Sequence, residues 1–140
     1  MKATDFIALA GTLSVQPETA RLRTSISRAY YGAFHLATEF LAGLGFNVGK
    51  DHDLHKPLLA SKHPLAMDAG RSLSDLYEFR RRADYRLADP DVEQQSRAMR
   101  CVELAKRVES ILLQCNAEPA RAEIKSAIDA YQQQSRPKAP

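Results

Sequence analysis

The stretch YEFRRRADYRL, Tyr77 to Leu87, sets Arg80, Arg81 and Arg82 side by side and follows them with Asp84, Tyr85 and Arg86. A guanidinium offers a planar fork of donors that matches phosphate and carboxylate oxygens, so the cluster is suited to holding an anion or the backbone of a nucleic acid. At about 100° per residue, Leu65, Ala69, Leu73, Leu76, Arg80, Ala83 and Leu87 share one stripe of a helix. Arg80 is thus set into an apolar face. Burying a lone guanidinium is costly, which calls for an acid or a cleft, and Asp84, one turn on, is the nearest acid. Arg81 and Tyr85 are also one turn apart, as are Arg82 and Arg86, on other sides of the helix. Two readings follow: an internal Arg80 and Asp84 pair with solvated neighbours, or an anion site made from Arg80, Arg81 and Arg82.

A second group lies in SISRAYYGAFHLATEFLAGLG. Tyr30 belongs to the apolar stripe of that helix, whereas Arg28, Tyr31 and His35 share another side. Arg28 and His35 stand about 10 Å apart along the axis, a spacing better suited to a binding surface than to a catalytic pair. Gly32 in mid-helix costs about 1 kcal/mol relative to alanine, so it marks the close approach of another helix. A third group, His52, His55 and His63 with Asp51 and Asp53, raises a metal reading because His52 and His55 are one turn apart. No further ligand cluster backs it, and the expectation is solvated loop residues with no metal and no cofactor.

The elements that carry these groups are all helical. The 3.6-residue period runs through every long segment and no strand alternation is evident. The fold expected is an all-α antiparallel bundle of four to five helices forming a single domain over 1–133, with a disordered tail over 134–140. The first helix runs from Thr4 as N-cap to Leu13. The second starts near Pro17, carries Leu22, Ile26, Tyr30, Ala33, Ala37, Phe40, Leu41 and Leu44 inward, and is ended by Gly43 and Gly45. A short helix fits around Leu54 to Ser61. The third long helix starts after Pro64, and the fourth is capped by Asp89 and opened by Pro90 with Val92, Met99, Val102, Ala105, Val108, Ile111 and Leu112 inward. A fifth follows Pro119.

Composition bounds the rest. The 140 residues suit one domain, with 44% hydrophobic and 26% charged residues. No apolar run is long enough to cross a membrane. Cys101 and Cys115 fall on one helix about 21 Å apart, too far to pair, which with the absence of a zinc pattern points to a reduced, cytoplasmic setting. The net charge of +3 allows nucleic-acid contact without requiring it.

Taken together, SRAYYGAFHLATEFL and LSDLYEFRRRADYRL, separated by a histidine-containing loop, resemble the HEPN domain family. The likeness is to its small stand-alone prokaryotic branch, with a Ser-Arg-x-Tyr-Tyr helix and an Arg-x-x-Ala-Asp-Tyr helix, and spans roughly Ala3 to Cys115. The resemblance implies a homodimeric helical bundle that binds or cleaves RNA, often paired as a toxin with a minimal nucleotidyltransferase antitoxin. In the ribonuclease members an arginine holds the scissile phosphate and a histidine four to six residues later moves protons at the 2′-OH and the leaving oxygen, without a metal. Counted from Arg80, Tyr85, Arg86 and Leu87 occupy the positions for that histidine, and no histidine follows His63. A tyrosine with a pKa near ~10 is a poor substitute at neutral pH. The sequence therefore favours a module that binds RNA, a nucleotide or a partner protein through Arg28, Tyr31, His35, Arg81, Arg82 and Arg86. Metal-independent RNA cleavage using Arg80, Asp84 and Tyr85 is the alternative. In some members a tyrosine near the motif receives nucleotides from the partner enzyme, and Tyr85 is the analogous position.

Overall fold

A computed structural model describes residues 1–48 and 52–135. Among them the chain forms six α-helices: α1 (Ala3–Ser14), α2 (Thr19–Gly43), α3 (His55–Ala60), α4 (Pro64–Tyr85), α5 (Gln95–Cys115) and α6 (Ala120–Ser135), with a 3-10 turn at Asp91–Glu93. The tail expected over 134–140 begins inside α6, and residues 136–140 lie outside the described residues.

Two of the helix starts show how the chain satisfies the first amides. At α1 the carboxylate of Asp5 accepts the Lys2 N–H at 2.7 Å, so the helix begins just before Thr4, which lies inside it. At α4 Pro64 occupies the first turn, where a missing N–H costs nothing, and His63 Nδ1 accepts the Leu65 N–H at 3.3 Å. One of the three loop histidines is therefore a helix cap. Beyond Gly43, which ends α2, Gly45 takes a φ of 94°, a left-handed conformation in which a Cβ is strained.

α2 is the central element. Its inward stripe, Leu22, Ile26, Tyr30, Ala33, Ala37, Phe40 and Leu41, is buried as its spacing predicts, and it packs against α1, α4 and α5. α1 comes close enough that a Cβ on Gly32 would sit 2.5 Å from Ile7 Cγ1 and 3.3 Å from the backbone atoms Ala3 O and Ile7 N. Gly32→Ala should therefore lower stability by about 1 kcal/mol in urea denaturation, because an overpacking cost of about 1–3 kcal/mol outweighs the ~1 kcal/mol gain in helix propensity. Gly43→Ala, where a Cβ meets nothing within 4 Å, should raise it slightly in the same measurement.

Two expected core residues are not in the core. Met99 is 46% exposed, because α5 starts at Gln95 and turns Ala98 and Cys101 inward beside the expected Val102 and Ala105. Leu87 is 80% exposed, because α4 ends at Tyr85 and the stripe no longer applies beyond it. The fourth long helix does not open at Pro90, which instead precedes the 3-10 turn. Arg23 of α2 accounts for that break. Its guanidinium receives no room from a continuing helix; it donates to the carbonyl oxygens of Ala83 at 2.9 Å, Arg86 at 3.0 Å, Leu87 at 3.0 Å and Asp89 at 3.1 Å, so the chain after α4 curls around it. Cys101 and Cys115 are both free and buried on α5, and burial pushes the Cys101 thiol up to about 12.

Candidate functional site

Arg80 is the buried charge that the stripe of α4 predicts, at 5% exposure. Its surroundings are aromatic. The guanidinium carbon lies 5.4 Å from the ring centres of both Tyr30 and Tyr31, 5.6 Å from Tyr77 and 5.8 Å from Tyr85, all within cation–π range. Asp84 approaches, as its spacing predicts, but Oδ2 stays 3.7 Å from Nη1, beyond hydrogen-bond length, and the same oxygen accepts from Ser27 Oγ at 3.3 Å. Nε of Arg80 is buried with no hydrogen-bond partner. A buried donor without an acceptor costs about 1–3 kcal/mol, and such a group calls for an explanation in terms of a missing partner.

His52 was expected among solvated loop residues, and the structure corrects that expectation. Its half-buried ring stacks on Tyr77 with centres 5.5 Å apart and planes at 20°, and it also contacts Phe34 at 5.1 Å and Tyr31 at 6.2 Å. Tyr30 Oη lies 2.5 Å from His52 Nδ1. Burial holds the Tyr30 hydroxyl well above the usual phenol range, against the opposing pull of Arg80, so it keeps its proton. Nothing in the local sequence announces this contact, since it joins a loop to two helices. His55 sits on α3 with a buried Nδ1 lacking a partner, Asp53 pairs with Lys56 at 3.2 Å, and Asp51 lies outside the described residues. Among the described residues no three ligating side chains gather as a metal site would need.

The other predicted residues divide into those at the cluster and those engaged elsewhere. Arg28 lies over Tyr31 at 5.2 Å and over Phe6 at 5.4 Å, and His35 stacks on Phe6 at 5.3 Å. Arg81 is exposed and sits 5.8 Å from the Tyr77 ring. Tyr85 is 73% exposed. Arg82, by contrast, is locked to Asp89 at 2.6 Å and Asp91 at 3.0 Å, and Arg86 stands 3.7 Å from Glu78. Sequence spacing missed Phe6 and Tyr77 as ring partners, although Tyr77 stands three residues before Arg80 and four before Arg81, which is one helical turn.

The Arg82 pairing has a pH consequence. The hydrogen bond from Arg82 holds the Asp89 carboxyl below its ordinary range, and a hydrogen bond from Arg107 does the same to Asp68. A carboxyl depressed in the folded state contributes stability that is present above its unfolded pKa near ~3.9 and is lost as pH falls through the folded value. Melting temperatures taken between pH 6 and pH 2.5 should drop steeply over the acid end, and Asp89→Asn should flatten that drop while lowering the plateau.

No family model, curated protein or solved structure matches the chain.

Proposed function

We propose that the protein is a HEPN-like helical module that binds RNA at the Arg80 cluster, acting as a homodimer and as one half of a toxin and antitoxin pair with a minimal nucleotidyltransferase. The observation that carries the RNA reading is the state of Arg80: a buried guanidinium whose Nε has no acceptor, ringed by Tyr30, Tyr31, Tyr77 and Tyr85. A phosphate supplies the acceptor oxygens that the guanidinium lacks, and aromatic rings offer faces on which bases stack. The dimer and the nucleotidyltransferase come from the resemblance of the two helical motifs alone. Fluorescence anisotropy with labelled cellular RNA over a salt series tests the binding. Affinity should fall steeply as salt rises, through counterion release, and weaken when exposed Arg81 is replaced. Absence of binding at physiological ionic strength would sink the reading.

A second reading, metal-independent RNA cleavage, gains one specific observation. His52 packs on Tyr30, Tyr31 and Tyr77, the same rings that surround Arg80, so an imidazole stands in the cluster although the motif on α4 lacks one. Incubating labelled RNA with the protein in EDTA separates the two readings. Cleavage that disappears in both Arg80→Ala and His52→Ala assigns the chemistry to this cluster, whereas intact RNA leaves binding alone.

A further inference from the structure

The aromatic cluster continues past Arg80. Tyr31 is flanked by two guanidiniums, Arg80 at 5.4 Å and Arg28 at 5.2 Å from its centre. Other arginines of the bundle are closed by acids: Arg23 by Glu93 at 3.0 Å, Arg97 by Asp91 at 2.9 Å and Arg107 by Asp68 at 2.5 Å. Arg28 forms no ion pair among the described residues; its guanidinium contacts are the rings of Tyr31 and Phe6. Phe6 stacks on His35 with planes at 25°, and both rings line an open cavity of about 180 Å³ together with Lys2 and Glu39. Two guanidiniums thus lie on one ring, Arg80 with the Asp84 carboxylate 3.7 Å away and Arg28 with no ion pair among the described residues, and the Phe6 and His35 rings lie beside the second.

A cavity of that size admits one nucleobase, packed against the stacked Phe6 and His35 pair that lines it. The Glu39 carboxylate at its rim accepts N–H donors of the kind that bases carry on their edges. Beyond Glu39 the surface changes character. A further cavity along α2 is lined by Glu39, Glu109, Leu36, Phe40 and Leu113, an acidic and apolar lining that disfavours phosphate. The track is therefore bounded on that side.

We propose that Arg28, Phe6 and His35 form a second nucleotide subsite, so that the ligand class is single-stranded RNA with one phosphate at Arg80 and another at Arg28. This rests on the reading of the Arg80 cluster as an RNA site. Duplex RNA cannot lay a base face on Phe6, because its bases are stacked on one another and its edges lie in grooves.

The test is anisotropy with a labelled single-stranded oligoribonucleotide and the same strand annealed to its complement, using wild type, Phe6→Leu and Arg28→Gln. Phe6→Leu keeps an apolar side chain against α2 but removes the ring, and thermal melts verify that both variants are folded. The single strand should bind at least tenfold more tightly than the duplex, and each variant should weaken it about tenfold while leaving the weak duplex binding unchanged. Equal affinity for both RNAs, or a single strand indifferent to both substitutions, overturns the second subsite while binding that still depends on Arg80 keeps the first. No RNA binding by wild type overturns both.

Discussion

Replacing Arg23 with methionine should lower the unfolding free energy by about 3 kcal/mol, read from urea denaturation at neutral pH. The side chain is 11% exposed and every donor on it is engaged. Nη1 donates to the carbonyl oxygens of Ala83 at 2.9 Å and Arg82 at 3.3 Å, Nη2 to those of Arg86, Leu87 and Asp89, and Nε to Glu93 at 3.1 Å. These carbonyls belong to the last turn of α4 and the segment after it, at the helix's negative dipole end, where only those of Arg82 and Arg86 also accept a backbone N–H, from Arg86 and Asp89. Methionine fills the volume and supplies none of the hydrogen bonds. Removing one partner from a buried charged network costs about 3–5 kcal/mol, and the lower end applies because Glu93, at 31% exposure, regains water. Arg23→Lys should recover little, since a compact ammonium cannot reach oxygens spread over Ala83 to Asp89 as a planar fork does. A loss below 1 kcal/mol for the methionine variant would mean that water caps this end of α4 as well as the guanidinium does.

The same sequence reasoning that singles out Arg80 applies to Arg23, and this shows what periodicity can and cannot say. Arg23 precedes Ile26 by three residues and Tyr30 by seven, so it shares their inward stripe just as Arg80 shares the stripe of Leu73 and Leu76. Burial of Arg80 is read from that spacing, and Arg23 is a buried arginine that the reading of the second helix passes over. Asp84 beside Arg80 was legible too, but the partners from other elements were not: the carbonyls of α4 and the segment after it for Arg23, and the Tyr30 and Tyr31 rings of α2 for Arg80. The helices and most of their inward faces were legible for the opposite reason, since an apolar stripe needs only to be covered. Gly32 likewise told of a close neighbour without naming Ile7. Arg82 was read as a free cation because its acids, Asp89 and Asp91, lie seven and nine residues on, across the turn rather than along the helix. The one-turn spacing of His52 and His55 said nothing of the rings that His52 meets, which α2 and α4 supply.

Arg80→Met should give the opposite stability result to Arg23→Met while removing RNA binding. Arg80 contributes little that methionine cannot replace: Nε has no acceptor, and Nη1 is 3.7 Å from a carboxylate that is itself 31% exposed. Relief of the unmet donor returns about 1–3 kcal/mol. The lost cation–π contacts with Tyr30, Tyr31, Tyr77 and Tyr85 oppose that gain, but the thioether of methionine packs on aromatic rings with about 0.3–1.5 kcal/mol per contact and retains part of it. The expected outcome is a stability within about 1 kcal/mol of the parent, or above it. RNA affinity, measured by anisotropy on the same preparation, should fall about 100-fold, since a guanidinium bond to phosphate of roughly 3 kcal/mol is lost with nothing left to take the charge. A loss of stability as large as that of Arg23→Met would make Arg80 a structural arginine and leave the ring cluster without a ligand to explain it. Parent-like stability together with lost RNA affinity would show that the fold does not need this arginine and that it serves a ligand outside the chain.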